Sequence, residues 1–236
     1  MKKIFTLAVA AMTAMCAFAQ DYTQSVGLVV GSLNGASYKY FISEELAIQA
    51  DLGIGVMATG GSFTEVGEIT MFGETTKEKF VQNLNASLWT LQIAPNFIWQ
   101  KNITSFDWGK LDFFVGGGLT LGYAKFTKGE ATEYKQYEDG KEVGSGKYTI
   151  KPQLSGEDCD KSYGKFGINA IAGVELALTS APITIGLDFR PGYGLMFSGK
   201  ETEEEDLGYY GKISATSSGT YNFFDWTLAA TVRYTF

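Results

Sequence analysis

Histidine is absent from the 236 residues. Ser-His-Asp, Cys-His and His-Glu-x-x-His chemistry go with it, because each needs an imidazole to carry a proton or hold zinc. Cysteine is confined to Cys16 and Cys159, and proline to four positions. Positive charge is in deficit: 19 Lys and Arg stand against 26 Asp and Glu, for a formal charge of −7. With no long basic run, the chain offers nothing for a phosphate backbone to bind, so no nucleic-acid partner is expected. Beyond residue 20 no stretch of eighteen apolar residues runs free of charge, which excludes a helical membrane span. What is abundant is glycine (29 residues) and aromatic side chains (14%), in a chain that is 45% apolar. That apolar share belongs to a chain that packs rather than one that stays disordered. Together these features fit a β-rich wall that faces two different solvents.

The first residues read as an address. Met1-Lys2-Lys3 is a positive start, Ile4 to Met15 an apolar stretch, and Ala17-Phe18-Ala19 the A-x-A form cut by signal peptidase. The expectation is a signal peptide over 1–19 and a mature domain over 20–236. Anchoring through Cys16 as a lipoprotein is disfavoured by the bulk of Met15. Losing Lys2 and Lys3 takes the formal charge from −7 to −9. Cys159 is then alone, without a partner for an internal disulfide.

Period-two alternation recurs along the rest, the mark of a strand with two unlike faces. Over 224–236, Phe224, Trp226, Leu228, Ala230, Val232, Tyr234 and Phe236 share one face, and Asp225, Thr227, Thr231, Arg233 and Thr235 the other. A helix, with its period of 3.6, would mix the two sets. Similar alternation over 36–42, 46–58, 84–100, 111–126, 164–179 and 183–197, and more weakly over 24–33, makes eight strands. In 24–33, Val29 and Leu33 blur the faces. A β-sandwich could also supply eight strands, but its strands are usually about 5–6 residues long. These are longer, and bilayer-crossing strands need about 9–11 residues.

The connections at 43–45, 101–110 and 180–182 are short, whereas 59–83, 127–163 and 198–220 are long and polar. Asn34-Gly35 reads as a tight turn. Short turns on one side and long loops on the other is the pattern of outer-membrane barrels, and aromatic residues near the strand ends would form their interfacial girdles. A bilayer forbids an open sheet edge, so the strands must close. Eight close around an interior that side chains fill. The expected fold is all-β: an eight-stranded antiparallel transmembrane up-and-down β-barrel.

Several segments carry a family resemblance: F-A-Q at 18–20, F-F-V-G-G-G-L-T-L-G-Y at 113–123, G-I-N-A-I-A-G-V-E at 167–175, I-G-L-D-F-R at 185–190 and T-V-R-Y-T-F at 231–236. In these the chain resembles the small outer-membrane β-barrels of Gram-negative bacteria, similar to the OmpA transmembrane domain and OmpX. The resemblance spans essentially all of 21–236 and implies location in the outer membrane. It also implies delivery by the barrel-assembly machinery, with Phe236 and Tyr234 matching the terminal aromatic assembly signal. The periplasmic peptidoglycan-binding domain that some relatives append is not expected. The fold hosts adhesins, enzymes and structural proteins alike, so it does not fix an activity.

With the apolar face toward lipid, Lys39, Asp51, Asp112, Glu175, Asp188, Arg190, Asp225 and Arg233 point into a narrow lumen. Buried charges persist only when paired, so a lumen charge network is expected, concentrated toward the short-turn end. The acidic run Glu201 to Asp206 lacks the glycine-punctuated pattern of a calcium loop and reads as a solvated face. Tyr134, Tyr137, Tyr148 and Tyr163 in the long segment 127–163 are candidate contacts to an outside partner, or else pack within a strand extension. Gly116-Gly117-Gly118 lies inside a strand, so it is not a phosphate cradle but a place where the wall bends or bulky neighbours fit.

The functional expectation is a non-catalytic barrel, monomeric and surrounded by outer-membrane lipid. Its loops support the envelope or bind an extracellular protein or glycan. No cofactor and no metal are expected. The alternatives are a narrow, porin-like channel for ions or small solutes, and an outer-membrane enzyme that works without histidine.

Overall fold

The structure, a computed structural model, describes residues 23–71, 74–148, 161–206 and 212–236. Residues 1–19, expected to be a signal peptide, and Cys159 lie outside the described residues. The strands are β1 (Gln24–Gly31), β2 (Leu33–Phe41), β3 (Leu46–Met71), β4 (Glu74–Phe106), β5 (Gly109–Glu138), β6 (Lys141–Lys147), β7 (Tyr163–Leu178), β8 (Ile183–Phe197), β9 (Glu201–Asp206) and β10 (Lys212–Thr235).

All pairings are antiparallel. Eight strands run β1-β2-β3-β4-β5-β7-β8-β10, and β10 returns to pair with β1 over Ser25↔Thr235 to Gly31↔Ala229. The ring is completed at its end by Phe236, whose N–H donates to Gln24 O at 2.9 Å while Gln24 N–H donates to Phe236 O at 3.1 Å. The eight alternating segments of the sequence are the eight strands of this ring. In β10, Phe224, Trp226, Leu228, Ala230, Val232 and Tyr234 face outward and Thr227, Ala229, Thr231, Arg233 and Thr235 are buried inside. The ambiguity over 24–33 resolves in the same way: Leu28 and Val30 face out, and Val29 and Leu33 form a small inner cluster with Ala229.

Two expectations are corrected. The first reversal falls at Ser32, not at Asn34-Gly35. Asn34 sits in β2 and braces the turn, its amide donating to Gly31 O at 2.9 Å and accepting from Gly31 N at 3.2 Å. The long polar segments are mostly not loops. They extend β3, β4, β5 and β10 and add the short strands β6 and β9.

The physical reason lies in the short β1–β2 hairpin. Past its tip, β3 and β10 would each present an unpaired backbone edge. They pair with each other instead, from Phe224↔Gly60 to Ile213↔Met71. The wall narrows there from eight strands to six. Farther out, β7 and β8 end, and a sheet of order β9-β10-β3-β4-β5-β6 continues alone. Its β5–β6 turn uses Asp139 and Gly140, both at positive φ (47° and 79°), the backbone that a two-residue hairpin needs.

Inside the narrowing sits the largest apolar cluster. Phe126 meets Tyr163 and Tyr221 edge-on at 5.2 and 5.4 Å, and Tyr221 stacks on Phe223 at 5.4 Å. Leu84, Leu88 and Met196 complete the packing. Near the short-turn end a second inner cluster joins Ala47, Ile98, Phe114 and Ile171.

The glycine run of β5 serves curvature. A Cβ on Gly116 or Gly118 would collide with the backbone carbonyls of Phe97 and Pro95 on β4, so the two strands coil together only where those side chains are missing. Gly118→Val is expected to destabilise the fold by at least the ~1–3 kcal/mol of an overpacked core. Gly144→Val, at a position with open space around it, should leave stability unchanged. Urea unfolding followed by tryptophan fluorescence compares the two; equal midpoints would contradict this account of the bend.

Candidate functional site

The polar inner faces converge on three groups. Nearest the short turns, Lys39 of β2 and Arg233 of β10 reach across the ring to Glu175 of β7. Lys39 Nζ lies 3.0 Å from Glu175 Oε1, and Arg233 NH1 lies 2.6 Å from Glu175 Oε2. Arg233 Nε also donates to Ser37 Oγ at 2.8 Å. Gly27 pairs with both Arg233 and Ser37, so no side chain stands between them. Lys39 Nζ further sits 5.0 Å from the Phe41 ring centroid and 5.3 Å from that of Phe114. Arg233 is 1% exposed and Lys39 0%. Asp112, the register partner of Glu175, accepts from Asn102 Nδ2 at 2.9 Å.

The second group spans β3 and β8. Arg190 holds Asp188 in a fork, Nε to Oδ1 at 2.6 Å and NH2 to Oδ2 at 2.9 Å. Its NH1 lies 2.5 Å from Asp51 Oδ2, and Gln49 Nε2 donates to that same oxygen at 2.9 Å. Positions 188 and 190 are two apart on a strand, which puts both on one face. The planar guanidinium can then serve a carboxylate beside it and another across the lumen.

The third group centres on Lys165 of β7, which sequence reasoning did not single out. Its Nζ donates to Gln92 Oε1 at 2.8 Å and lies 3.4 Å from Asp225 Oδ2. It also sits 5.4 Å from the Phe223 ring centroid. The signal for it was available, because residue 165 shares the parity of Asn169 and Glu175. With Lys165 included, five lumen carboxylates face four cations among the described residues. Asn169 joins the polar lining by donating to Asn96 Oδ1 at 2.6 Å.

All eight lumen charges named from sequence thus lie on inward-facing positions. The structure places seven of them in three groups at successive levels rather than in one cluster at the short-turn end, while Asp112 bonds to Asn102 on the adjacent strand.

The four tyrosines separate. Tyr163 is a correction: it begins β7, points into the ring and is 3% exposed, held edge-on by Phe126. It therefore cannot meet an outside partner. Tyr134 stacks on Phe80 at 6.1 Å and meets Tyr148 at 5.1 Å, and Lys79 Nζ lies 5.6 Å from the Tyr137 ring. These three belong to the strand extension, half-buried against it. Burial and the neighbouring Tyr134 hold the Tyr148 hydroxyl above the ordinary phenol pKa.

The acidic run forms β9, with Glu201 paired to Lys161 at 2.8 Å; the side chains of Glu205 and Asp206 lie outside the described residues. Among the described residues, no three Cys, Asp or Glu side chains converge as a metal ion requires. The terminal Tyr234 and Phe236 rings stack at 6.3 Å on the outer side of the closing pair.

No family model matches the chain, and no curated protein sequence matches it. Among solved structures it is similar to Ail, the attachment invasion locus protein of Yersinia pestis. The identity is 12% and the TM-score 0.26, over 89% of this chain and 96% of that one. It is also similar to the P. putida toluene transporter TodX, at 11% identity and a TM-score of 0.14, over 94% of this chain and 92% of that one. At such values neither neighbour's role transfers.

Arg233→Leu tests the first charge group. Removing one partner of a buried ion pair costs about 3–5 kcal/mol, because the other charge is left in place. A fall of that order in the urea unfolding free energy is expected. An unchanged value would mean that Glu175 does not depend on Arg233.

Proposed function

We propose that the protein is an integral outer-membrane β-barrel without catalytic activity, which presents its strand extension outside the cell for envelope support or for binding a protein or glycan. One observation carries this reading: the polarity of the closed ring is inverted. Val56, Leu28, Tyr123 and Phe224 are each more than half exposed on the outer wall, while Arg190, Arg233, Lys39 and Glu175 are buried inside. In water, so wide an apolar surface would drive association. In a bilayer it is the correct solvent-facing surface, and the closed ring leaves no backbone edge in hydrocarbon.

Aromatic side chains support the same orientation. Trp99, Phe106, Trp108 and Tyr234 lie outward near the short turns; Trp89, Tyr123, Phe197 and Trp226 lie outward near the extension. Two such belts fit the two interfaces of a membrane. The short turns then face the periplasm, and Tyr234 and Phe236 serve as the signal read by the assembly machinery. Outer-membrane lipid is the immediate partner of the wall, and one chain closes the ring without help from a second.

A channel is the weaker reading. The lumen carries three charge groups that span it, and the Phe126–Tyr163–Tyr221 cluster fills the narrowing above them.

Fractionation and gel mobility test the membrane assignment. The folded protein should sediment with outer membranes and run faster unheated than boiled. Recovery from the soluble periplasm would refute it. In planar bilayers the protein should show no single-channel steps; regular steps would revive the channel. Replacing residues 127–162 by a short turn should abolish adhesion to matrix or neighbouring cells while keeping the heat-dependent mobility shift. Unchanged adhesion would leave the extension without the binding role.

A further inference from the structure

Just past the tip of the β1–β2 hairpin, the outer wall carries a cleft of about 780 Å³. It arises because β3 and β10 become neighbours there, at Phe224↔Gly60, and the loss of two strands indents the surface. Its floor is made of small outward-facing residues, Ala58 and Gly60 of β3 and Ser87 of β4. A side chain added at Gly60 would meet only Asn85 Oδ1, at 3.4 Å, so the floor is open. Phe224 and Trp226 form one wall, both more than half exposed.

The opposite wall is polar. The β4–β5 register shifts between Ser87 and Leu88, and Lys128 pairs beside Ser87 on the outer face. Among the described residues Lys128 has no ion-pair partner, whereas Glu130 on the same rim is engaged in contacts of its own. The cleft thus grades from the apolar belt at Val56 and Trp226 to a free ammonium at the upper rim.

We propose that this cleft binds a phosphate-bearing anionic membrane lipid. One acyl chain lies on the Ala58–Gly60 floor against Trp226 and Phe224, and the phosphate pairs with Lys128. The proposal rests on the membrane reading above. Lipid is the occupant because the cleft opens onto the belt that lipid solvates. Its charge is specified because, among the described residues, the one charged group on the rim without a partner is the cation Lys128, on a chain whose net charge is −7. A lysine near a membrane surface favours anionic lipid by a factor of about five.

The test uses the full folded chain with Trp226 as its sole tryptophan (Trp89, Trp99 and Trp108 each replaced by Phe), in vesicles of mixed phosphatidylcholine and phosphatidylglycerol with brominated acyl chains on one lipid at a time. Quenching of Trp226 should show a preference of about fivefold for phosphatidylglycerol. Lys128→Gln should abolish the preference while both lipids still quench. Ala58→Phe, which fills the floor but keeps the lysine, should abolish it too. Equal quenching in the parent protein, or a preference that survives Lys128→Gln, would overturn the proposal. A preference that survives Ala58→Phe would reduce the cleft to bare surface charge and overturn it as well. No quenching by either lipid would mean that Trp226 does not meet acyl chains, and would overturn the membrane reading together with this one.

Discussion

Every backbone edge in this wall must find a partner, and the β1–β10 pairing is where that requirement is met or missed. On the proposed membrane reading, an unpaired N–H or C=O would lie in hydrocarbon at a cost of several kcal/mol, so closure is worth more than any single side-chain contact. The register of the closing pair, Ser25↔Thr235 through Gly31↔Ala229, has to match the stagger accumulated by the other pairs around the ring. The same requirement acts again higher up. A β1–β2 hairpin that stops at Ser32 strands the edges of its neighbours, and the only remedy is for β3 and β10 to pair directly. The narrowing from eight strands to six, the aromatic filling inside it and the indentation outside it all follow from one short hairpin.

Alternation along the strands makes most of this ring legible in the amino-acid sequence. Where a strand separates apolar outer residues from polar inner ones, as in 183–197 or 224–236, sequence parity and observed burial agree position by position. The extension is not legible in that way, for a physical reason. Both of its faces meet polar surroundings, so Thr64-Glu65-Val66-Gly67-Glu68 shows no alternation although it is as regular a strand as the rest. The one local signal there is Asp139-Gly140, whose positive φ angles make the β5–β6 turn. Tyr163 misleads because it directly follows a polar stretch, and its direction depends on where β7 begins.

The charge network is only partly readable. Parity identifies which residues face inward, but not which of them meet. Lys39 and Glu175 are 136 positions apart, and their contact depends on the width and stagger of the ring. The separation into three levels likewise reflects strand stagger, which no single strand encodes. Lys165 shows the converse. Its parity is plain, yet its partners Gln92 and Asp225 come from β4 and β10, each separated from β7 by one intervening strand.

These buried charges also answer how an inverted wall keeps its register. In a strand, a slip of one residue turns every side chain to the opposite face. For β10 that slip would bring Arg233 to the outer surface, and for β8 Arg190. On the proposed membrane reading, an arginine on the outer face would cost about 2–4 kcal/mol at the midplane, and its abandoned partner, Glu175 or Asp51, would stay buried and unpaired at further cost. An apolar lumen would carry no such penalty, because both faces would then tolerate lipid. The ion pairs therefore need not add net stability over well-packed apolar residues to be useful. They make the wrong registers expensive, and so protect the backbone closure on which the whole wall depends.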